Sequence, residues 1–79
     1  MPSRRYGRFI VRIYTRSERG HRPHVHVFTA GAEVVIFLSP NAKVRENPGA
    51  MRPADVRAAQ RIVAEACDDL LDLWNCYNG

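Results

Sequence analysis

All three histidines of this chain, His21, His24 and His26, fall within the eight residues from His21 to Phe28. Imidazoles can bind a metal, move protons or shape a surface, so spacing has to discriminate. His24 and His26 are alternate residues; on a strand they project to the same side about 6.5–7 Å apart, close enough to converge on one ion. His21 or Glu33 would then be the third ligand, and a divalent metal is the only cofactor the sequence suggests. A second chemistry needs no metal. His24 or His26 can act as general acid or base near neutral pH, Glu33 can orient the ring, and Arg12 can steady a phosphate. That set suits phosphodiester cleavage by a metal-independent ribonuclease. It lacks a nearby Ser or Cys nucleophile, and Phe28 stands where a longer histidine triad would continue. The third chemistry is binding. Arg4, Arg5, Arg8 and Arg12 can meet phosphates while Tyr14, Phe28 or Phe37 stack on bases, as sheet-face RNA binders do.

These side chains need elements to position them. Seventy-nine residues, 46% hydrophobic and 25% charged, suit one globular domain over residues 1–79. The stretch Arg8–Tyr14 alternates, with Phe9, Val11 and Ile13 on one side and Arg8, Ile10, Arg12 and Tyr14 on the other, which is the pattern of a strand. Charge and Gly20 then break the pattern. Pro23 precedes a second alternating strand at about residues 24–29, and a third runs over about 33–38. Residues 39–52 read as loop, with room for a short edge strand at Lys43 to Arg45. From Pro53 the period becomes helical. Val56, Ala59, Val63, Ala66, Leu70 and Leu73 form one apolar stripe, so a single amphipathic helix is expected over about residues 53–74. The expected fold is α+β: a three- to four-stranded, mostly antiparallel sheet with one carboxyl-terminal helix packed on one face. A single helix would carry Asp68, Asp69 and Asp72 towards its negative end, against its dipole.

Facing follows from register. If Val25 and Val27 point to the core together with Val34 and Ile36, the hairpin must pair Val27 with Val34 and Val25 with Ile36. His26 then lies opposite Val35, and Phe28 opposite Glu33. Ala30 is a poor residue for a tight primed turn, which favours a four-residue loop over a turn on Ala30-Gly31; either gives the same facing. His24, His26, Phe28, Glu33, Val35 and Phe37 then share the side turned away from the helix. Val35 and Phe37 on that side point to a partner interface, occupied by a small partner protein or, as a homodimer, by a second copy.

The net charge is +4 and unevenly spread: residues 1–30 carry seven arginines against Glu18, whereas residues 62–79 carry Glu65, Asp68, Asp69 and Asp72 and no base. The basic half suits phosphate backbones, RNA among them, and the acidic tail suits a basic partner or the chain's own arginines. No apolar run would cross a bilayer and the opening residues lack a secretory hydrophobic block, so a cytoplasmic location and no membrane partner are expected. Cys67 and Cys76 lie about 13 Å apart along a helix and on opposite sides, too far to bridge.

With "GHRPHVHVF", "AEVVIFL" and a helix ending in "DDLLDLWN", the chain resembles the bacterial family known as domain of unknown function 4160. The likeness runs over nearly the whole chain and rests on His21, Pro23, His24, His26 and Val27, with Trp74 late in the helix. Members of that family are often encoded beside another small protein in arrangements resembling toxin–antitoxin pairs. The resemblance therefore implies a protein partner and assigns no catalytic residue.

Overall fold

A computed structural model describes residues 3–13, 22–38 and 41–78. Five strands form one antiparallel sheet in chain order: β1 (Ser3–Tyr6), β2 (Phe9–Arg12), β3 (His24–Thr29), β4 (Ala32–Phe37) and β5 (Val44–Glu46). Two helices follow, α1 (Pro53–Glu65) and α2 (Cys67–Asn78). The α+β expectation holds, but the sheet has five strands instead of three or four, and there are two helices instead of one.

The added strand is β1, whose pairing with β2 puts Tyr6 opposite Phe9 across the two-residue turn Gly7-Arg8. Gly7, at φ 61°, occupies the first central position, where a type II′ turn requires left-handed backbone. The basic run "SRRY" lacks the apolar alternation that marks a buried strand; Ser3, Arg4 and Arg5 are exposed and only Tyr6 packs partly buried against the core. The β3–β4 connection is the tight turn on Ala30-Gly31, with Thr29 opposite Ala32 and both turn residues at positive φ (49° and 79°). The four-residue loop is therefore wrong. Ala30 accepts left-handed backbone because six residue pairs of ladder close up behind it. The register itself is as expected: Val27 faces Val34, Val25 faces Ile36, His26 faces Val35 and Phe28 faces Glu33. The edge strand β5 falls at Val44–Glu46, one residue beyond the anticipated Lys43 to Arg45, and its register slips between Val35 and Ile36.

The core gathers Phe9, Val11, Ile13, Val25, Val27, Val34, Ile36 and Leu38 from one face of the sheet, closed by Ala59 and Val63 of α1 and Leu70 and Trp74 of α2. The helical stripe breaks at Ala66 (φ −98°, ψ 14°), where α1 ends. Next to the break the Cys67 thiol donates to the Leu38 carbonyl at 3.0 Å, tying the junction to the end of β4. The break relieves the electrostatic conflict of a single helix for Asp68 and Asp69, which now occupy the first turn of α2, where the positive end of the dipole favours carboxylates; Asp72 lies beyond that turn. An apolar stripe that stays in phase across the junction hides such a break from periodicity alone. Both cysteines are free thiols, Cys67 partly buried and Cys76 exposed.

At Arg8 the turn between β1 and β2 is pinned to α1. Its guanidinium meets the Asp55 carboxylate at 2.7 Å and the Thr29 hydroxyl at 3.3 Å, and the Thr29 hydroxyl donates to the Arg8 carbonyl at 3.1 Å. On the opposite edge Gly49 lies against β4 so closely that a Cβ there would stand 2.5 Å from the Glu33 backbone nitrogen.

Candidate functional site on the second sheet face

Side chains alternate along a strand, so the register decides which residues share the face turned away from the helices. Arg5, Ile10, Phe28 and Glu33 form one row across it; Ser3, Arg12, His26, Val35 and Glu46 form the next; His24 and Phe37 lie beyond. His26 is at the centre. Its Nδ1 lies 2.8 Å from a Glu33 carboxylate oxygen, and because a carboxylate can only accept, the ring nitrogen carries the proton. The imidazole is mostly buried, with its side chain 14% exposed, while Glu33 stays half-buried at 30%.

His24 and His26 part company in their surroundings. His24 is 2% exposed. Its Nδ1 donates to the Arg22 carbonyl at 2.9 Å, and its ring lies 5.1 Å from the Trp74 ring of α2 and 5.4 Å from that of His26. The two-residue repeat puts the imidazoles on one side, and α2 then covers the first of them at the start of β3. The expectation that His24 faces away from helical cover is therefore wrong: Trp74 of α2 reaches over the start of β3 and buries it, and only His26 is turned towards the part of the face that the helices do not cover.

Two arginines lie flat on aromatic rings. Arg12 sits 5.1 Å above Phe28, and Arg22 sits 4.0 Å above Phe37. Each pair combines a cation–π contact with guanidinium donors at the protein surface, since Arg12 and Arg22 are both exposed. On the same face Val35 is 1% exposed, and Phe28 and Phe37 are half-buried. A partner on this face would meet arginine, phenylalanine and histidine. Sequence reasoning missed Arg22. The only signal for it was its place beside Pro23 at the start of a strand, where its side chain can fold back over the sheet.

The remaining basic residues separate by strand alternation. Arg5 lies on the second face, exposed. Arg4 lies on the helix side, where with Asp69, Asp72, Leu73 and Cys76 of α2 it lines a shallow groove of about 380 Å³. The amino-terminal arginines therefore do not form one basic stripe; one of them faces the acidic helix, and Arg8 is held by Asp55. Tyr14 and His21 lie outside the described residues. Among the described residues no three His, Cys, Asp or Glu side chains gather into a metal-binding group, and no helix is long and apolar enough to cross a membrane.

No curated protein and no solved structure matches this chain. A family model does match, over residues 9–75, which takes in the sheet from β2 onward, the histidine segment and both helices up to Trp74. On that match the chain belongs to the family described as Domain of unknown function (DUF4160).

Proposed function

We propose that this chain is a small cytoplasmic interaction module of toxin–antitoxin type, which binds an anionic partner, a nucleic-acid strand or the acidic surface of a small protein, on its second sheet face. The observation that carries the reading is the pair of arginine–phenylalanine stacks, Arg12 on Phe28 and Arg22 on Phe37, flanking His26 on the second sheet face, which α2 covers only at His24. A stacked guanidinium loses little side-chain freedom on binding, because its plane is already fixed, and the exposed Arg12 can turn its donors to phosphate or carboxylate. Arg5 adds a third positive charge to the same face. The test is fluorescence anisotropy with labelled single-stranded RNA, together with recovery of the complex from native cells. Arg12→Ala combined with Arg22→Ala is expected to weaken capture at least tenfold with the thermal transition preserved. Unchanged capture by the double variant would remove the reading.

The 2.8 Å contact between His26 and Glu33 favours one second reading, a metal-independent ribonuclease with His26 as acid or base and Glu33 orienting it. The His26 Nε2 atom is buried, so a substrate would have to open the site to reach it. RNA that is cut by the wild-type chain and left intact by a folded His26→Ala variant would establish that reading. RNA that stays intact with both leaves binding as the function.

A further inference from the structure

The sheet ends at β1, and a sheet edge is a row of backbone donors and acceptors ready to take another strand. The two-residue turn at Gly7-Arg8 makes Tyr6 and Phe9 a hydrogen-bonded pair, so the backbone groups of Tyr6 and Arg4 point to β2 and those of Ser3 and Arg5 point outward. Among the described residues no strand lies beyond them. The Arg4 guanidinium donates to the Ser3 carbonyl at 3.4 Å, a long and exposed contact that an incoming N–H can replace. The other edge is less suited to extension: β5 has three residues, and its register slips where it meets β4.

Charge selects what can add there. A second copy of β1, paired antiparallel along most of the strand through Ser3 and Arg5, sets either Arg4 opposite Arg4 or Arg5 opposite Arg5, and like charges directly opposite are destabilising. The basic edge therefore resists self-pairing and favours a foreign strand with a carboxylate opposite Arg5, which is exposed on the second sheet face. On the helix side the demand is reversed. Asp69, Asp72, Leu73 and Cys76 share one face of α2 and, with Arg4, line the groove between that helix and the edge strand. A strand added about 4.7–4.9 Å beyond β1 turns every second side chain towards this groove and the others towards the face of Arg5. Two carboxylates against one guanidinium, with Leu73 beside them, suit basic or apolar side chains.

We propose that the outer edge of β1, with the groove beside α2, seats an extended segment of another protein, which joins the sheet as an added strand. Its acidic residues are set towards Arg5, and its basic or apolar residues towards Asp69, Asp72 and Leu73. Backbone hydrogen bonds to Ser3 and Arg5 supply affinity, and the alternating charges supply choice of partner. This edge is separate from the arginine–phenylalanine stacks, which lie on β2, β3 and β4.

The experiment titrates the nitrogen-15-labelled full-length chain with a short synthetic peptide in which glutamate alternates with valine or lysine. Amide resonances should shift over Ser3–Tyr6 and along α2 from Asp69 to Cys76, and hydrogen exchange of the Arg5 amide should slow about tenfold near saturation. Methylating the peptide nitrogens that face β1 should abolish binding, because it removes the strand's donors and leaves its charges. Arg5→Glu should weaken binding about fivefold, as an opposite-charge pair becomes a like-charge one. The exchange and methylation results need no variant, so the proposal stays exposed even if Arg5→Glu does not fold. No shifts at millimolar peptide, equal binding by the methylated peptide, or unchanged affinity in folded Arg5→Glu would each overturn it. Protection of the Arg5 amide that grows with protein concentration in the chain alone would assign the edge to a second copy and overturn it as well.

Discussion

Gly49 connects the stability of the sheet to the geometry of the candidate site, and replacing it with alanine exposes that connection. A Cβ at this position would stand 2.5 Å from the Glu33 nitrogen and 3.2 Å from both the Ala32 Cα and the Glu33 oxygen. All three are backbone atoms of β4, so no flexible side chain can give way. Relief requires loop and strand to separate by about half an ångström or more, which also stretches the hydrogen bond from the Gly49 N–H to the Glu33 carbonyl, already 3.3 Å. Overpacking against a fixed wall costs about 1–3 kcal/mol, and each 1 kcal/mol lowers the melting temperature of a 60–100-residue domain by about 4–8 °C. Gly49→Ala should therefore melt roughly 8–16 °C below wild type at the middle of that range. The matched control is Gly31→Ala, where a Cβ meets nothing within 4 Å and only the left-handed backbone (φ 79°) is penalised; that should cost about 1 kcal/mol, the lower end for a side chain in left-handed backbone. Thermal unfolding by circular dichroism measures both. Displacement of β4 at Glu33 should also perturb the His26 ring resonances in Gly49→Ala and not in Gly31→Ala. Equal melting temperatures for the two variants would refute the close approach of the loop to β4.

Trp74→Ala should cost about 3–5 kcal/mol by emptying the space beside His24 and Leu70, enough to leave so small a domain largely unfolded by denaturant titration; Trp74→Phe should retain most of the stability. Asp68→Lys combined with Asp69→Lys places two cations at the amino end of α2 and should destabilise by about 0.3–1 kcal/mol per residue; in one uninterrupted helix both positions would lie outside the terminal turns and the changes would be nearly neutral, so a clear loss in chemical denaturation supports the break. Arg8→Ala should cost at most about 1 kcal/mol, because the ion pair with Asp55 is substantially exposed, and the loss should shrink as salt is added.

Much of the site was legible because a period of two leaves little freedom. Once Val25 and Val27 were assigned to the core, the facing of His26, Phe28, Glu33 and Val35 followed, whatever the length of the turn. Alternation could not show how those neighbours use one another. That His26 bonds Glu33, that Arg22 folds onto Phe37 and that Trp74 reaches His24 are matters of side-chain reach across strands and from a distant helix. The basic amino end misled in a specific way: charge counting treated Arg4, Arg5, Arg8 and Arg12 as one group, whereas pairing with β2 divides them between two faces and a turn. The strand β1 and the break at Ala66 escaped notice for a common reason. Each is decided by tertiary packing, a hairpin partner in one instance and an anchor to Leu38 in the other, with little local propensity behind it.

The salt dependence of single-stranded RNA binding bears most directly on the arginine-stacked face. Measured by anisotropy between about 50 and 200 mM salt, log affinity for the wild-type chain should fall linearly with log salt concentration. Removing Arg12 and Arg22 together should reduce the slope by about 1.4, since each phosphate of a single strand that is no longer neutralised lowers it by roughly 0.7. A slope that is the same in the wild type and the double variant would mean that phosphates, if bound at all, are bound elsewhere on the molecule.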